Sequence, residues 1–212
     1  MKSQHILEML NEGKIEDLKA LLSEEIYKSE LQDKGGKARY SAMKRYYRFA
    51  DKDKVEKLKK PCKDIEYQGK LYNCFIDGYC FALTAESLGN METYDNTNND
   101  YFNVSRFISF NGDMEKLNLN KILAIAKSEG YKYKKSEEVD TINAVYYLKY
   151  KGSYYKIGLL DKAYSIINDG EEAEVYYSGE RNVLIIKNNI GIAGICPIII
   201  KGDIANKIII EN

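Results

Sequence analysis

The sequence predicts an α+β fold: antiparallel sheets with short helices packed on one face, preceded by an N-terminal helical hairpin. Three observations lead there. Residues 154–200 pack one helix and three or four short strand-like runs into under fifty positions. Leu71 to Thr84 reads as two apolar strands about an Asp77-Gly78 turn. Residues 4–31 carry Ile6, Leu7 and Leu10, then Ile15, Leu18, Leu21, Leu22 and Ile26, at helical spacing, with a break at Asn11-Glu12-Gly13.

Taken in order, the helical hairpin ends near Asp33-Lys34-Gly35-Gly36, where paired glycines disfavour helix by about 1 kcal/mol each relative to alanine. That stretch is the predicted linker, and it divides the chain into a hairpin at 1–34 and an α+β domain at 37–212. A third helix is predicted from Lys37 to about Asp53, and Pro61 ends the positive run that follows it. Strands continue through Leu83, and the polar stretch Asn90 to Asp100 is a surface loop. Val104 to Phe110 is predicted as a strand, with Asn111-Gly112-Asp113 turning the chain. Leu117, Leu119, Ile122, Leu123, Ile125 and Ala126 mark a short helix closed by Gly130. Ala144 to Tyr150 is a strand that turns at Lys151-Gly152-Ser153 into Tyr154–Ile157. Leu159, Leu160, Ala163, Ile166 and Ile167 then recur as a helix stopped by Asn168-Asp169-Gly170. Glu174–Tyr177 and Val183–Ile186 form a hairpin, and Gly191 to Ile200 follows as a closing strand.

Composition narrows the function classes. The 212 residues hold 32 acidic and 32 basic side chains, so no global field marks a nucleic-acid or membrane partner, and any such partner must meet a local patch. The spacing of Cys62, Cys74, Cys80 and Cys196 matches neither a metal pair nor a redox motif, so these cysteines are expected as buried small hydrophobes in a reducing compartment. No run of eighteen apolar residues is present and the N-terminus leads into an amphipathic helix, which predicts a soluble, cytoplasmic protein without membrane contact. Many of the nineteen tyrosines fall in strand-like runs, where they suit half-buried strand faces.

Catalytic chemistry finds little support. One histidine, His5, lies near the terminus, which argues against imidazole-based triads and metal sites. No phosphate-binding glycine loop is present, and Gly191-Ile192-Ala193-Gly194 lacks the third glycine and following helix of a dinucleotide fingerprint; glycines in a crowded strand explain it. A magnesium-dependent nuclease needs an acid-x-lysine pair on a strand. Glu12-Gly13-Lys14 and Asp17-Leu18-Lys19 fall instead in the helical hairpin and read as solvated charges. Asp95 to Asp100 lacks the glycine and distal glutamate of a calcium loop. The sequence therefore predicts no enzyme, no cofactor and no metal, with a nuclease as the third option.

The one patterned charge lies in the third helix. At about 100° per residue, Lys37, Lys44, Arg45, Arg48 and Lys52 fall within a sector of roughly 100°, while Met43, Tyr46, Tyr47 and Ala50 take the opposed side. A solvated helix face is the ordinary reading of such a run. The sharper reading makes these five cations contacts to DNA phosphates, with Arg45 and Arg48 gripping through paired donors and binding falling steeply with salt. Tyr46 and Tyr47 are expected to pack on the sheet. Lys54, Lys57, Lys59 and Lys60 extend the positive run.

The strand, helix, hairpin, strand order of Tyr154 to Ile200, closed by Gly191-Ile192-Ala193-Gly194-Ile195-Cys196-Pro197-Ile198, resembles half of a DNA sliding-clamp domain, the bacterial polymerase processivity-factor fold. Leu71 to Thr84 is similar to the clamp segment in which a strand precedes a Thr-Asp-Gly turn, although Ala85-Glu86 follows Thr84 here. Lys37 through Leu83 also resembles uncharacterised proteins from the early-gene regions of Gram-positive prophages. These resemblances imply a non-enzymatic, phage-type accessory protein of DNA replication or recombination, whose basic helix lines a DNA-facing surface. An encircling ring would need several repeated domains, so this chain would assemble as a homo-oligomer or has kept the fold and lost the ring. The alternative is an interaction module that binds a host or phage replication protein without DNA, using Leu18, Leu21, Leu22 and Ile26 of the hairpin unless that face packs on the domain.

Overall fold

A computed structural model describes residues 3–30, 34–50, 55–132, 145–179, 181–200 and 207–211. Helices α1 (Ser3–Asn11) and α2 (Ile15–Glu30) form the predicted hairpin, followed by α3 (Lys34–Ala50) and a single turn, α4 (Glu56–Lys59). Strands β1 (Cys62–Tyr67), β2 (Lys70–Ile76) and β3 (Cys80–Thr84) come next. The 3-10 turn Val104–Phe107, β4 (Asp113–Leu117) and α5 (Leu119–Ser128) follow them. The chain finishes with β5 (Val145–Tyr150), β6 (Ser153–Lys156), α6 (Ile157–Ile167), β7 (Ala173–Tyr177), β8 (Leu184–Lys187), β9 (Gly191–Ile195) and β10 (Lys207–Glu211).

Seven strands form one sheet in the order β1-β2-β3-β9-β8-β7-β4, every pairing antiparallel, and β10-β5-β6 form a second. The second sheet holds the one parallel pairing among the described strands, β10 with β5, beside the antiparallel β5–β6 hairpin. Alternate residues of the large sheet face opposite sides, as a two-residue period requires. Cys80, Ala82, Ala193, Ile195, Leu184 and Ile186 point to a core shared with α3, α5, α6 and the inner face of the small sheet. Phe81, Leu83, Ile192 and Ile185 point the other way, where Leu58, Val104 and the partly buried Tyr101, Phe102, Ile108 and Phe110 cover them. Helices α3, α5 and α6 thus lie on one face, and the turn and loops between β3 and β4 cover the other.

Helix α6 is the centre of this arrangement. Its apolar residues recur on all but a narrow strip, and Ile157, Leu159, Leu160, Ala163, Tyr164, Ile166 and Ile167 are buried between the sheets. A helix apolar on most sides is stable only when surrounded. The β3–β9 pairing beneath it depends on a close approach. Phe81 lies opposite Gly194, and a Cβ built on Gly194 would come within 2.1 Å of the Phe81 ring. The glycine gives the aromatic ring its place across the strand.

Several expectations change. Gly35 and Gly36 lie within α3, which begins at Lys34 and not at Lys37, and Gly36 is buried. Val104 to Phe110 is a 3-10 turn followed by irregular chain, because Ile108 N–H bonds locally to Ser105 O while the apolar side chains cover the outer sheet face. Asp113 starts a strand instead of ending a turn: β4 pairs with β7 from Asp113↔Tyr177 to Leu117↔Ala173. The closing strand stops at Ile195, and only Ile198 continues it, as a bridge to Tyr154. In the hairpin, Leu18 is buried and Asn90 Nδ2 donates to Ala20 O at 3.0 Å, but Leu22 and Ile26 stay exposed.

Candidate nucleic-acid interface

Helix α3 carries its residues in two sorted faces. Tyr40, Met43 and Tyr46, three apart, are buried at 2%, 0% and 2% exposure, and they seat the helix on α6 and the core. The Tyr46 ring meets Phe75 edge-on at 5.3 Å between centroids and lies beneath the Lys162 ammonium at 4.5 Å. Lys162 is held in turn by Asp77 Oδ2 at 2.6 Å, and Asp77 Oδ1 accepts from Tyr79 N and Cys80 N to close the β2–β3 turn. The Tyr46 hydroxyl is buried and finds no hydrogen-bond partner among the described residues, and burial, then the Asp77 charge, pushes its pKa well above the ordinary tyrosine value.

The strongest anchor is a residue the charge pattern did not single out. Arg39 is 5% exposed and donates from Nε and Nη2 to Glu86 Oε1 at 2.9 and 2.7 Å. Its Nη1 donates at 3.2 Å to the carbonyl of Asn168, the C-terminal cap of α6. One guanidinium therefore ties α3 to the β3 end and neutralises the end of α6, a use suited to a planar five-donor fork. Its signal in the sequence is its spacing, three and four residues from Ala42 and Met43 on the buried face.

The basic sector lies away from this buried face. Lys37 is exposed, Lys44 is half-buried with its ammonium 5.8 Å from the Tyr40 ring centroid, and Arg45 is half-buried with Nη2 3.9 Å from Asp161 Oδ1. At that distance the Arg45–Asp161 contact is a loose ion pair. The Arg48 side chain and all of Lys52 lie outside the described residues, as do the Tyr47 side chain and Lys54. The positive run beyond the helix is locally neutralised: Lys57 pairs with Asp100 at 2.8 Å and Lys60 with Glu92 at 2.8 Å. A further cation, the exposed Lys127 of α5, borders the same cleft as Arg45.

Among the described residues no three His, Cys, Asp or Glu side chains converge to hold a metal. Burial raises the thiols of Cys74 and Cys80 and pushes Cys62 up to about 11, which disfavours the nucleophilic thiolate. The acid-x-lysine matches are surface charges, with Lys14 paired to Glu12 at 2.7 Å and Lys19 to Glu16 at 2.8 Å. In the Asp95–Asp100 loop the side-chain oxygens serve local bonds: Asp95 accepts from Thr97 N, Asn96 from Tyr101 N, and Asp100 from Tyr94 Oη and Lys57. No described helix is long and apolar enough to cross a membrane.

No protein-family model and no curated protein matches the chain. The fold is similar to a crystal structure from Eubacterium rectale ATCC 33656 provisionally described as a DNA polymerase III beta subunit, with a TM-score of 0.52 at 12% sequence identity. The likeness covers 77% of this chain and 63% of that one, so the chain spans less than two thirds of its neighbour's length. At this identity the likeness concerns architecture alone: the chain has an α+β fold of the sliding-clamp type.

Proposed function

We propose that the chain is a non-enzymatic accessory protein of DNA replication or recombination, of phage type, that touches the DNA backbone through the basic sector of α3. The reading takes residues 37–212 as the clamp-like domain and residues 1–34 as its appendage. Lys37, Lys44, Arg45, Arg48 and Lys52 are the proposed phosphate contacts. The observation that carries it is the sorting of α3: Tyr40, Met43 and Tyr46 fix one face in the core, while Lys37, Lys44 and Arg45 lie off that face on a rigid support. Cations carried on a folded helix need no backbone ordering to meet phosphates, and they release counterions from DNA as they bind. The neighbour's description as a polymerase subunit supports a replication setting. DNA retardation at several salt concentrations tests the reading, with wild type beside a Lys37→Glu/Lys44→Glu/Arg48→Glu variant. Salt-steep binding that the variant loses is expected, and binding indifferent to the reversal would remove it.

A second reading rests on its own observation. Leu7, Leu10, Ile15, Leu22 and Ile26 of the hairpin are exposed, and Ile15, Leu22 and Ile26 share one stripe of α2. An apolar stripe of this kind suits a helix or groove on a replication protein, with no DNA involved. Retention of that protein by wild type but not by a Leu22→Ser/Ile26→Ser variant, with DNA binding absent from both, would favour it.

A further inference from the structure

Cys62 and Cys74 stand directly opposite each other in the antiparallel β1–β2 pairing, and both are fully buried. A tight turn and one irregularity produce that register. Gln68 and Gly69, both in the left-handed region at φ 52° and 72°, make the turn that sets Tyr67 against Lys70, Glu66 against Leu71 and Ile65 against Tyr72. Continued without a break, the same register would set Cys62 against Phe75. Between Cys62 and Ile65, however, β1 carries one residue more than β2, a bulge at which Asp64 takes φ 57°. The extra residue moves the pairing by one position. A shift of one residue turns side chains to the other face of a sheet, so it is the bulge that puts the two thiols on the same side.

This juxtaposition fits one chemistry. Directly opposite residues of an antiparallel pair lie about 4.5–5.5 Å apart at Cα, inside the range of roughly 4.4–6.8 Å that a disulfide spans. Burial, then the neighbouring Cys62, raises the Cys74 thiol, so the two side chains are near enough to interact electrostatically. The other cysteines are arranged differently. Cys80 points to the α6 side of the sheet and Cys74 to the outer side, and the strand partner of Cys80 is Ile195. Cys196 lies past the end of β9 and is only partly buried. Among the described residues no other two cysteines are opposed in a strand pairing. Strand β1 also ends the large sheet, paired along its length with β2 and touching Tyr94 through a single bridge at Cys62, where Tyr94 N donates to Pro61 O at 2.8 Å. A terminal strand opens more readily than an inner one, which gives a buried thiol on it a route to solvent.

We propose that Cys62 and Cys74 form a reversible disulfide that latches the terminal strand β1 to β2 under oxidising conditions. Opening of β1 exposes Cys62, whose thiolate attacks a small-molecule disulfide such as oxidised glutathione and releases one glutathione thiolate, which takes up the proton Cys62 lost. Closing of the strand brings up Cys74, which attacks the Cys62 sulfur of the mixed disulfide and releases the second glutathione with the Cys74 proton. Two protein thiols are thereby oxidised to one disulfide, and one glutathione disulfide is reduced to two thiols. Burial makes the exchange slow in both directions, because the thiols and the finished bond are reached only when β1 opens. The latch involves no residue of α3 and is independent of the DNA-contact reading.

The test incubates the full chain with oxidised glutathione, denatures it in the presence of N-ethylmaleimide, digests it and identifies the linked peptides by mass spectrometry. A linkage joining Cys62 to Cys74 is expected, with none through Cys80 or Cys196, and dithiothreitol should return all four thiols. Hydrogen exchange of the β1 amides should slow by about tenfold or more in the oxidised chain. Cys62→Ala and Cys74→Ala should each abolish both the linkage and the slowing, while Cys80→Ala with Cys196→Ala should keep both. The wild-type linkage map decides the matter if a variant alters the circular dichroism spectrum. Absence of the Cys62–Cys74 linkage, a linkage through Cys80 or Cys196 in its place, or formation only in chain already unfolded by urea overturns the proposal. So does β1 exchange that is the same in the oxidised and reduced chains, which would show a bond that latches nothing.

Discussion

Along α6, Leu159, Leu160, Ile166 and Ile167 are at most 6% exposed, whereas along the α1–α2 hairpin Leu7, Leu10, Ile15 and Ile26 are 44–61% exposed. Both regions show apolar residues at helical spacing, and in the sequence they look alike. The difference is what surrounds them: α6 lies against both sheets and against α3 and α5, while in the hairpin Leu18 is buried and Ala20 O accepts from Asn90 Nδ2. Periodicity identifies a helix, and only the topology decides whether its apolar stripe holds the fold or faces solvent. The same lesson applies within α3, where Tyr40, Met43 and Tyr46 are buried in the core while Lys37, on the same helix, is exposed.

The comparison can be broken most sharply in α6. Leu160→Ala should destabilise the protein by roughly 2–5 kcal/mol, the cost of a core cavity at a fully buried position, read by urea unfolding. Arg39→Ala comes next, at about 3 kcal/mol, because it leaves Glu86 and the last carbonyl of α6 without their shared donor. Leu22→Ser with Ile26→Ser in the hairpin should change stability by no more than about 0.5 kcal/mol each, as expected of exposed sites; a loss of several kcal/mol would show that the stripe is covered. The smallest effect is in pH dependence at the β4 edge. Lys151, then Tyr150, holds the exposed Glu115 carboxyl below the usual glutamate range. A carboxyl lowered in the folded state adds stability that is present above its unfolded value and is lost as pH falls through its folded value. Thermal unfolding followed downward from about pH 5 should therefore show a slightly shallower decline for Glu115→Gln than for wild type.

Much of the fold was legible where local chemistry and tertiary role agree. The Asp77-Gly78 turn, the Lys151-Gly152 turn, α5 with its Asn118 cap accepting from Lys121 N, and the β6-α6-β7-β8-β9 run are each specified by residues close together in sequence. What stayed hidden depends on distant partners. Strand β4 is almost wholly charged or exposed along Asp113-Met114-Glu115-Lys116, and its existence rests on backbone pairing with β7, about sixty positions later. Strand β10 carries Ile208, Ile209 and Ile210 but pairs in parallel with β5, which no local turn could announce. Val104 to Phe110 has strand composition, and its apolar side chains are drawn onto the outer sheet face instead. In the candidate interface the sorting of α3 was readable from spacing. The loose Arg45–Asp161 pair, the Lys127 wall and the neutralisation of Lys57 and Lys60 were not, because each partner comes from another element.

The most direct test of the account is the dependence of duplex DNA binding on salt. If α3 meets phosphates, the logarithm of the binding constant should fall linearly with the logarithm of salt concentration, and each cation reversed among Lys37, Lys44 and Arg48 should make the slope shallower by about 0.9. A slope that is the same in wild type and variant, or no duplex binding at low salt, would contradict it.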